Sequence, residues 1–106
     1  MKSLLLFLFI LIFCISTYAQ HSLKGRVLDV NNTPITNAHV KLQLVNLSAF
    51  TDLNGDFNID QLSKGNYVLT ITYLGFKTIN LNVEIKDKNL DLSTIFIEED
   101  LINLDN

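Results

Sequence analysis

Apolar and polar side chains alternate with a period of two along most of the chain beyond residue 20. Successive side chains of a β-strand point to opposite faces, so this alternation predicts strands that bury one face and expose the other. The clearest runs are AHVKLQLV (38–45), YVLTITY (67–73) and INLNVEIK (79–86). In the first run, the predicted buried face consists of Ala38, Val40, Leu42 and Leu44.

Turn-forming residues separate these runs at short intervals. The segments are NNTP (31–34), SKGN (63–66) and KDKN (86–89), and the first strand is expected at about 23–29. Short strands with regular turn signals are typical of all-β folds. The pattern predicts a small antiparallel seven-stranded β-sandwich, in which two sheets share one core.

The stretch TDLNGDFNID (51–60) carries side-chain oxygens at every second position, namely Asp52, Asn54, Asp56, Asn58 and Asp60. Oxygen ligands at such spacing raise the question of a calcium loop. An EF-hand loop requires Gly at its sixth position and a bidentate Glu at its twelfth. Counted from Asp52, those positions are Phe57 and Ser63, so the EF-hand interpretation fails. A weak site formed by Asp52, Asn54 and Asp56 stays open as an alternative.

The same stretch is better explained as a β-hairpin. Phe57 and Ile59 alternate with polar residues, as expected for a strand with one buried face. Phe50, in the short strand before the turn, is expected to be available to the core. Asn54 and Gly55 tolerate the positive φ of a tight turn. We therefore predict a structural hairpin turn at Asn54 and Gly55 and no metal site.

Residues 1–20 are interpreted as a secretory signal peptide. Lys2 provides a basic start, a 12-residue apolar run occupies 4–15, and cleavage is predicted after Ala19 or Gln20. The run is too short to span a bilayer comfortably, which disfavours an uncleaved anchor. We assign 21–98 to the sandwich and 99–106 to an acidic, linker-like tail.

The composition restricts the classes of partner. Eleven acidic and eight basic residues give a formal net charge of −3, which disfavours nucleic acid because nucleic-acid binding requires a basic stripe. Cys14, the sole cysteine, lies inside the signal and follows bulky Phe13, so lipidation is disfavoured and no disulfide is expected after cleavage. No membrane span is expected after cleavage, and the acidic run 98–100 is explained as a solvated segment.

No catalytic constellation is found, so we predict no enzyme and no cofactor. After cleavage the histidines are His21, expected to be disordered at the new N-terminus, and His39. No spacing suited to zinc is present, and neither histidine can be assigned to orient a nucleophile. His39 falls on a polar face with Lys41 and Gln43, which is a candidate docking surface together with the edge strands.

Two further side-chain roles are weighed against simple packing. Tyr67 and Tyr73 share the apolar face of their run, so core packing is favoured over a sugar-stacking platform. Lys24 is considered for an isopeptide crosslink to an asparagine, but no acid partner is recognisable from the sequence. Neither role is adopted.

Several elements in this order resemble the carboxypeptidase-regulatory-like domain, a transthyretin-like seven-stranded sandwich. They are GRVLD (25–29), the turn at Pro34, Ala38 before an alternating strand, TDLNGDF (51–57), GNYVLTITYLGF (65–76) and the alternating strand after it. The resemblance covers residues 23 to about 97. It implies a non-catalytic interaction or regulatory domain.

The segments YLGFKT (73–78) and IFIEEDLINLDN (95–106) are similar to the N-terminal extension of TonB-dependent outer-membrane receptors. That resemblance implies a Gram-negative periplasmic or outer-membrane setting and a protein partner there, with nutrient import belonging to a barrel that is not in this sequence. The chain is then a truncated or stand-alone copy. The alternative is a free-standing secreted module that is structural or binds a ligand. Oligomeric state is not indicated.

Overall fold

The computed structural model describes residues 2–6 and 20–101. Residues 2–6 are helical and exposed, and Gln20 is exposed without regular structure. The remainder of the predicted signal peptide, including Ala19, lies outside the described residues, as does the tail beyond residue 101. Within the described ranges, no helix has both the length and the apolar character needed to cross a membrane.

Residues 21–97 form two β-sheets that pack face to face, which confirms the predicted seven-stranded sandwich. The strands are β1 (His21–Asp29), β2 (His39–Leu42), β3 (Leu47–Phe50), β4 (Asp56–Leu62), β5 (Gly65–Thr72), β6 (Ile79–Ile85) and β7 (Leu90–Ile97). Sheet A has the order β4-β1-β7, and sheet B has the order β3-β2-β5-β6. The antiparallel pairs are β1–β4, β2–β3, β2–β5 and β5–β6.

One strand pair differs from the expected antiparallel arrangement, because β1 and β7 are parallel. The pairing of Leu62 with His21 and of Gly65 with Ile85 shows that β6 ends at the end of the sandwich where β1 begins. After the short connection 86–89, β7 therefore starts beside the beginning of β1 and runs in the same direction. Parallel neighbours that are distant in sequence cannot be identified from alternation alone.

The core lies between the sheets and consists of inward-facing strand residues together with Ile35 and Ala38 of the β1–β2 connection. Its buried members are Leu23, Val27, Ile35, Ala38, Val40, Leu42, Phe57, Ile59, Leu62, Leu69, Ile71, Val83, Ile85, Ile95 and Ile97. All are aliphatic except Phe57. The alternation therefore located most of the core, as expected when one face of each strand is buried.

Three residues expected on the buried side are exposed instead. Leu44 follows the end of β2 in a turn with φ of 68°, so the alternation no longer applies to it. Phe50 is 63% exposed because the register places it opposite His39, on the outer face of sheet B. Tyr73 follows β5 and is 37% exposed, with its ring 5.5 Å from that of Phe76.

Both ends of the domain are more ordered than expected. His21 is not disordered, because it opens β1 and pairs with Leu62 of β4. The acidic segment 98–100 is not a free linker, since its backbone is bonded to the β5–β6 connection. The amide of Lys77 donates to the Glu98 carbonyl, and the amide of Asp100 donates to the Gly75 carbonyl, both at 2.8 Å.

The turn at Asn54 and Gly55 connects the two sheets. Strand β3 belongs to sheet B and β4 to sheet A, so the expected hairpin within one sheet is replaced by a crossing at 51–55. Gly55 has φ of 79°, and its carbonyl accepts a 2.8 Å hydrogen bond from the Val27 amide. A Cβ atom at Gly55 would lie 2.3 Å from the Val27 carbonyl oxygen, so only glycine fits there.

Thr51 fixes the start of this crossing from inside the core. It is the buried polar residue of the described part of the chain, with 2% of its surface exposed. Its hydroxyl accepts a 2.9 Å hydrogen bond from the Ala38 amide and donates to the Ile35 carbonyl. Its own amide donates to the Ala38 carbonyl at 3.0 Å. These bonds satisfy backbone groups of the β1–β2 connection that are shielded from water.

Replacing Gly55 with alanine is expected to destabilise the fold more than replacing Gly75. Both glycines have positive φ, but a Cβ at Gly75 would have no atom within 4 Å. Gly75→Ala should cost about 1–2 kcal/mol for the left-handed conformation alone. Gly55→Ala should cost a further 1–3 kcal/mol, roughly, because the Val27 backbone must move. Urea unfolding of the two variants measures the difference, and equal losses would contradict the role of the close contact.

Replacing Thr51 with valine should reduce the free energy of unfolding by about 1–3 kcal/mol, because two buried backbone groups lose their partner. Thr51→Ser is the matched control, since it keeps the hydroxyl and removes only a methyl group worth about 0.8 kcal/mol. Urea unfolding of both variants gives the comparison. A valine variant that is no less stable than the serine variant would show that packing of the methyl, rather than the hydrogen bonds, matters at this position.

Candidate functional site

A groove of about 620 Å³ lies beside the outer face of sheet A. Two rows of residues in register cross the three strands of that face. The first row is Asn58, Lys24 and Asp91, and the second is Asp56, Arg26 and Thr94. We call these six residues the charged groove. In it, the middle strand β1 carries the two cations, and each outer strand carries one carboxylate.

Arg26 and Asp56 form a bidentate ion pair at the centre of the second row. Nε of Arg26 donates to Oδ1 of Asp56 at 2.7 Å, and Nη2 donates to Oδ2 at 3.2 Å. The hydrogen bond from Arg26 lowers the pKa of Asp56, and the same bond raises the pKa of Arg26. The pair is solvent-exposed, so it orients two side chains and contributes little to stability.

The first row carries a looser ion pair. Nζ of Lys24 lies 3.9 Å from Oδ2 of Asp91, and both side chains are mostly exposed. Oδ1 of Asp91 accepts the Ser93 amide at 2.8 Å, within the bulge of β7. The backbone of the bulge therefore positions the carboxylate. Both acids of the charged groove are already paired with cations, an arrangement suited to binding and not to proton transfer.

In the oxygen-rich stretch 51–60, the carboxylates of Asp52 and Asp56 are bonded to other groups of the protein. Oδ1 of Asp52 accepts the amides of Asn54 and Asp56, each at 2.9 Å, and so shapes the crossing. Asp56 is paired with Arg26, which removes it from the proposed calcium set of Asp52, Asn54 and Asp56. Across residues 2–6 and 20–101, no group of three or more His, Cys, Asp or Glu residues is placed to hold a metal ion.

The predicted polar face is the outer face of sheet B. His39 stacks on Phe50 with ring centroids 4.9 Å apart, a contact that the sequence did not indicate. Lys41 lies between Ser48 and Thr70 in register. The structure thus places His39 and Lys41 on one face, with aromatic and hydroxyl neighbours.

Gln43 follows the end of β2 and reaches this face through hydrogen bonds. Its amide donates to the Thr70 hydroxyl at 2.9 Å, and that hydroxyl donates to Oδ1 of Asn80 at 2.8 Å. The network joins β5 and β6 on their outer side. His21, in contrast, lies on sheet A, so the structure does not bring the two histidines into one site.

The other residues for which the sequence raised a functional role make structural contacts instead. The Tyr67 hydroxyl donates to the Ser63 carbonyl at 2.7 Å, and its ring is half-buried against the core. Lys24 is exposed in the charged groove, beside Asn58 in register, and is not enclosed as a crosslink would require. Glu98 forms an ion pair with Lys77 at 3.5 Å, and Glu99 forms a β-bridge with Phe76. The run 98–100 is thus part of the folded body.

Comparison with protein families gives one match, to a family model described as CarboxypepD_reg-like domain, over residues 23–106. The range covers every strand except the first two residues of β1. A regulatory-like description points to a non-catalytic domain. No match was found among curated proteins.

Solved structures share the fold. A chain of a type II cohesin-X-dockerin complex from Acetivibrio cellulolyticus matches with a TM-score of 0.65 and 26% identity, over 73% of this chain and 56% of that one. BcpA, the major pilin subunit of Bacillus cereus, matches with a TM-score of 0.61 and 16% identity, over 77% and 31%. The chain therefore spans just over half the length of the first of these structures.

An enzyme also matches, with a lower identity. The 3-chlorocatechol 1,2-dioxygenase from Rhodococcus opacus 1CP has a TM-score of 0.60 and 9% identity, over 81% of this chain and 62% of that one. At that identity the likeness shows the fold alone. Function must be argued from the site, because one sandwich fold supports many roles.

The Arg26–Asp56 pair predicts an acid-dependent stability difference between the wild type and Asp56→Asn. The pKa of Asp56 is lowered in the folded state, so its contribution is present above the unfolded pKa and lost as pH falls through the folded pKa. Urea unfolding at neutral pH and at successively lower pH should show the variant slightly less stable at pH 7 and equal to the wild type in strong acid. A difference that grows as pH falls would contradict the assignment.

Proposed function

The chain belongs to the CarboxypepD_reg-like domain family, and we propose on that premise that it is an exported, non-catalytic interaction and regulatory domain. Its partner is a protein in the periplasm or outer membrane. The family match supports the non-catalytic role, and the signal-like residues 1–20 support export.

The observation that carries the proposal is the charged groove. Its six residues lie on three strands of one sheet, so their spacing is fixed by the β-ladder and not by a loop. Arg26 is held by two hydrogen bonds to Asp56. A partner that binds there meets side chains already oriented, which lowers the ordering cost of association. The alternating cations and acids favour a polar partner of complementary pattern.

The more specific role is that of the periplasmic front module of a TonB-dependent nutrient receptor. The segments that carry the resemblance, 73–78 and 95–106, lie against each other within the described residues. Phe76 bridges to Glu99, and the Lys77 amide donates to the Glu98 carbonyl. In a receptor, this contact would fix the chain where it leaves the sandwich. Nutrient import would belong to the receptor as a whole.

Relatives by fold support an assembly role. The first solved structure is, by its own name, a cohesin-X-dockerin complex, and the second is a pilin subunit. Both names describe proteins that assemble with others. The low sequence identity means that their particular partners do not transfer to this chain.

The localisation and the receptor context can be tested together by fractionating native cells and immunoblotting with an antibody raised against residues 21–98. We expect a band far larger than this chain in the outer-membrane fraction. A small soluble periplasmic band would contradict the receptor role and support a free-standing module. A cytoplasmic band would contradict export.

The role of the charged groove is tested on the same cells with a photo-crosslinking residue introduced at Asn58. We expect a discrete crosslinked protein at this position. Ser48, exposed on the outer face of sheet B, is the matched control position and should give none. Equal crosslinking at both positions would contradict the groove as the docking surface.

A further inference from the structure

The four outer strands of the sandwich differ in how their open edges are protected. Strand β3 has four residues, which makes it a short edge. Strands β4 and β7 each contain a register shift against β1 and a residue with positive φ, Gln61 at 65° and Ser93 at 60°. Short strands and bulges are the usual devices that prevent pairing between edges.

Strand β6 has none of these devices. It runs for seven residues, Ile79–Ile85, in unbroken register with β5. Among the described residues it pairs only with β5, so its other edge presents unpaired backbone groups. None of its residues has positive φ, and it contains neither proline nor lysine. It is therefore the long, regular edge of this sandwich.

The inner face of β6 is covered incompletely. Val83 and Ile85 are buried, whereas Ile79 and Leu81 are half-buried. Sheet B has four strands and sheet A has three, so the strand at the margin of sheet B has less of the opposite sheet above it. Continuation of sheet B beyond β6 would cover more of these two apolar side chains.

The sequence of β6 is suited to pairing with itself. INLNVEI has the same order of apolar and polar residues in both directions about its central residue, Asn82. When a second copy runs antiparallel, all seven residues overlap only if the two-fold axis passes through Asn82. Asn82 then faces Asn82, and Asn80 faces Glu84, a pair in which the amide donates to the carboxylate. The apolar residues face each other on the inner side, and no like charges are opposed.

We propose that β6 is a self-association edge. It pairs antiparallel with β6 of a second copy about a two-fold axis at Asn82, and it joins two four-stranded sheets into one of eight strands. Such an interface is isologous and closes as a dimer, so it does not propagate into fibres. The dimer leaves the charged groove on sheet A open. The inference is independent of export and receptor context, because it concerns the purified chain alone.

Disulfide trapping tests the register. In the purified full chain carrying Cys14→Ser, Asn82→Cys places two thiols directly opposite, with Cα atoms about 4.5–5.5 Å apart, within reach of a disulfide. Asn80→Cys is the matched control, since its two copies would lie about 13 Å apart along the strands. We expect oxidation to give a covalent dimer from the first variant at least tenfold faster. Equal crosslinking of both variants, or of neither, would overturn the register.

Charge complementation tests the interface without a covalent bond. In analytical ultracentrifugation, Asn82→Lys and Asn82→Asp should each raise the dimer Kd about tenfold or more, because like charges face each other across the axis. Mixing the two variants should restore association. Ser48→Lys, at the β3 edge of the same outer face, should leave the Kd unchanged. Urea unfolding checks that each variant remains folded.

The contrary outcomes are equally definite. A wild-type chain that stays monomeric at every concentration would overturn self-association and leave the edge to a strand from another protein. A dimer that Asn82→Lys does not weaken, or one that Ser48→Lys weakens equally, would place the interface elsewhere. None of these outcomes changes the interpretation of the fractionation experiment, which tests export and receptor context separately.

Discussion

One of the connections between the two sheets lies at residues 51–55, and the rest of the sandwich depends on how this crossing is held. A crossing buries backbone groups that no β-ladder satisfies, and buried groups without partners are costly. The Thr51 hydroxyl bonds the Ala38 amide and the Ile35 carbonyl, and the Gly55 carbonyl bonds the Val27 amide. These contacts join the β1–β2 connection, the crossing and β1. They align β4 on β1, and thereby position Asp56 opposite Arg26.

Once the crossing is fixed, the charged groove follows from β-ladder geometry. The bidentate contact between Arg26 and Asp56 requires their strands to be neighbours in one register, and the nearness of Lys24 to Asp91 requires β7 to lie parallel to β1. The carboxylates are occupied by cations, and the Asp52 carboxylate is occupied by backbone amides. The surface is therefore suited to recognition, with side chains held in place by the sheet.

The edges of the two sheets differ in how they are protected against pairing with another strand. Two bulges, at Gln61 and Ser93, and the short β3 protect three of the four edges, whereas β6 is long and regular. A small sandwich without disulfides depends on its core for stability, and its half-buried Ile79 and Leu81 lie at the margin of that core. The groove and the β6 edge lie on different sheets, so one surface can bind a partner while the other joins a copy.

Alternation in the sequence determined the seven strands, the inward residues of β2, β4 and β5, and the family resemblance, because period two is a local property of a strand with one buried face. It also predicted a turn at Asn54 and Gly55. Tertiary structure decided what is non-local: that the turn crosses between sheets, that β7 is parallel to β1, and that Phe50 faces outward onto His39. The charged groove belongs to this second group, since Lys24 and Asp91 are distant in sequence and become neighbours only through strand order and register. Alternation specifies which face of a strand is buried, but not which strand lies beside it.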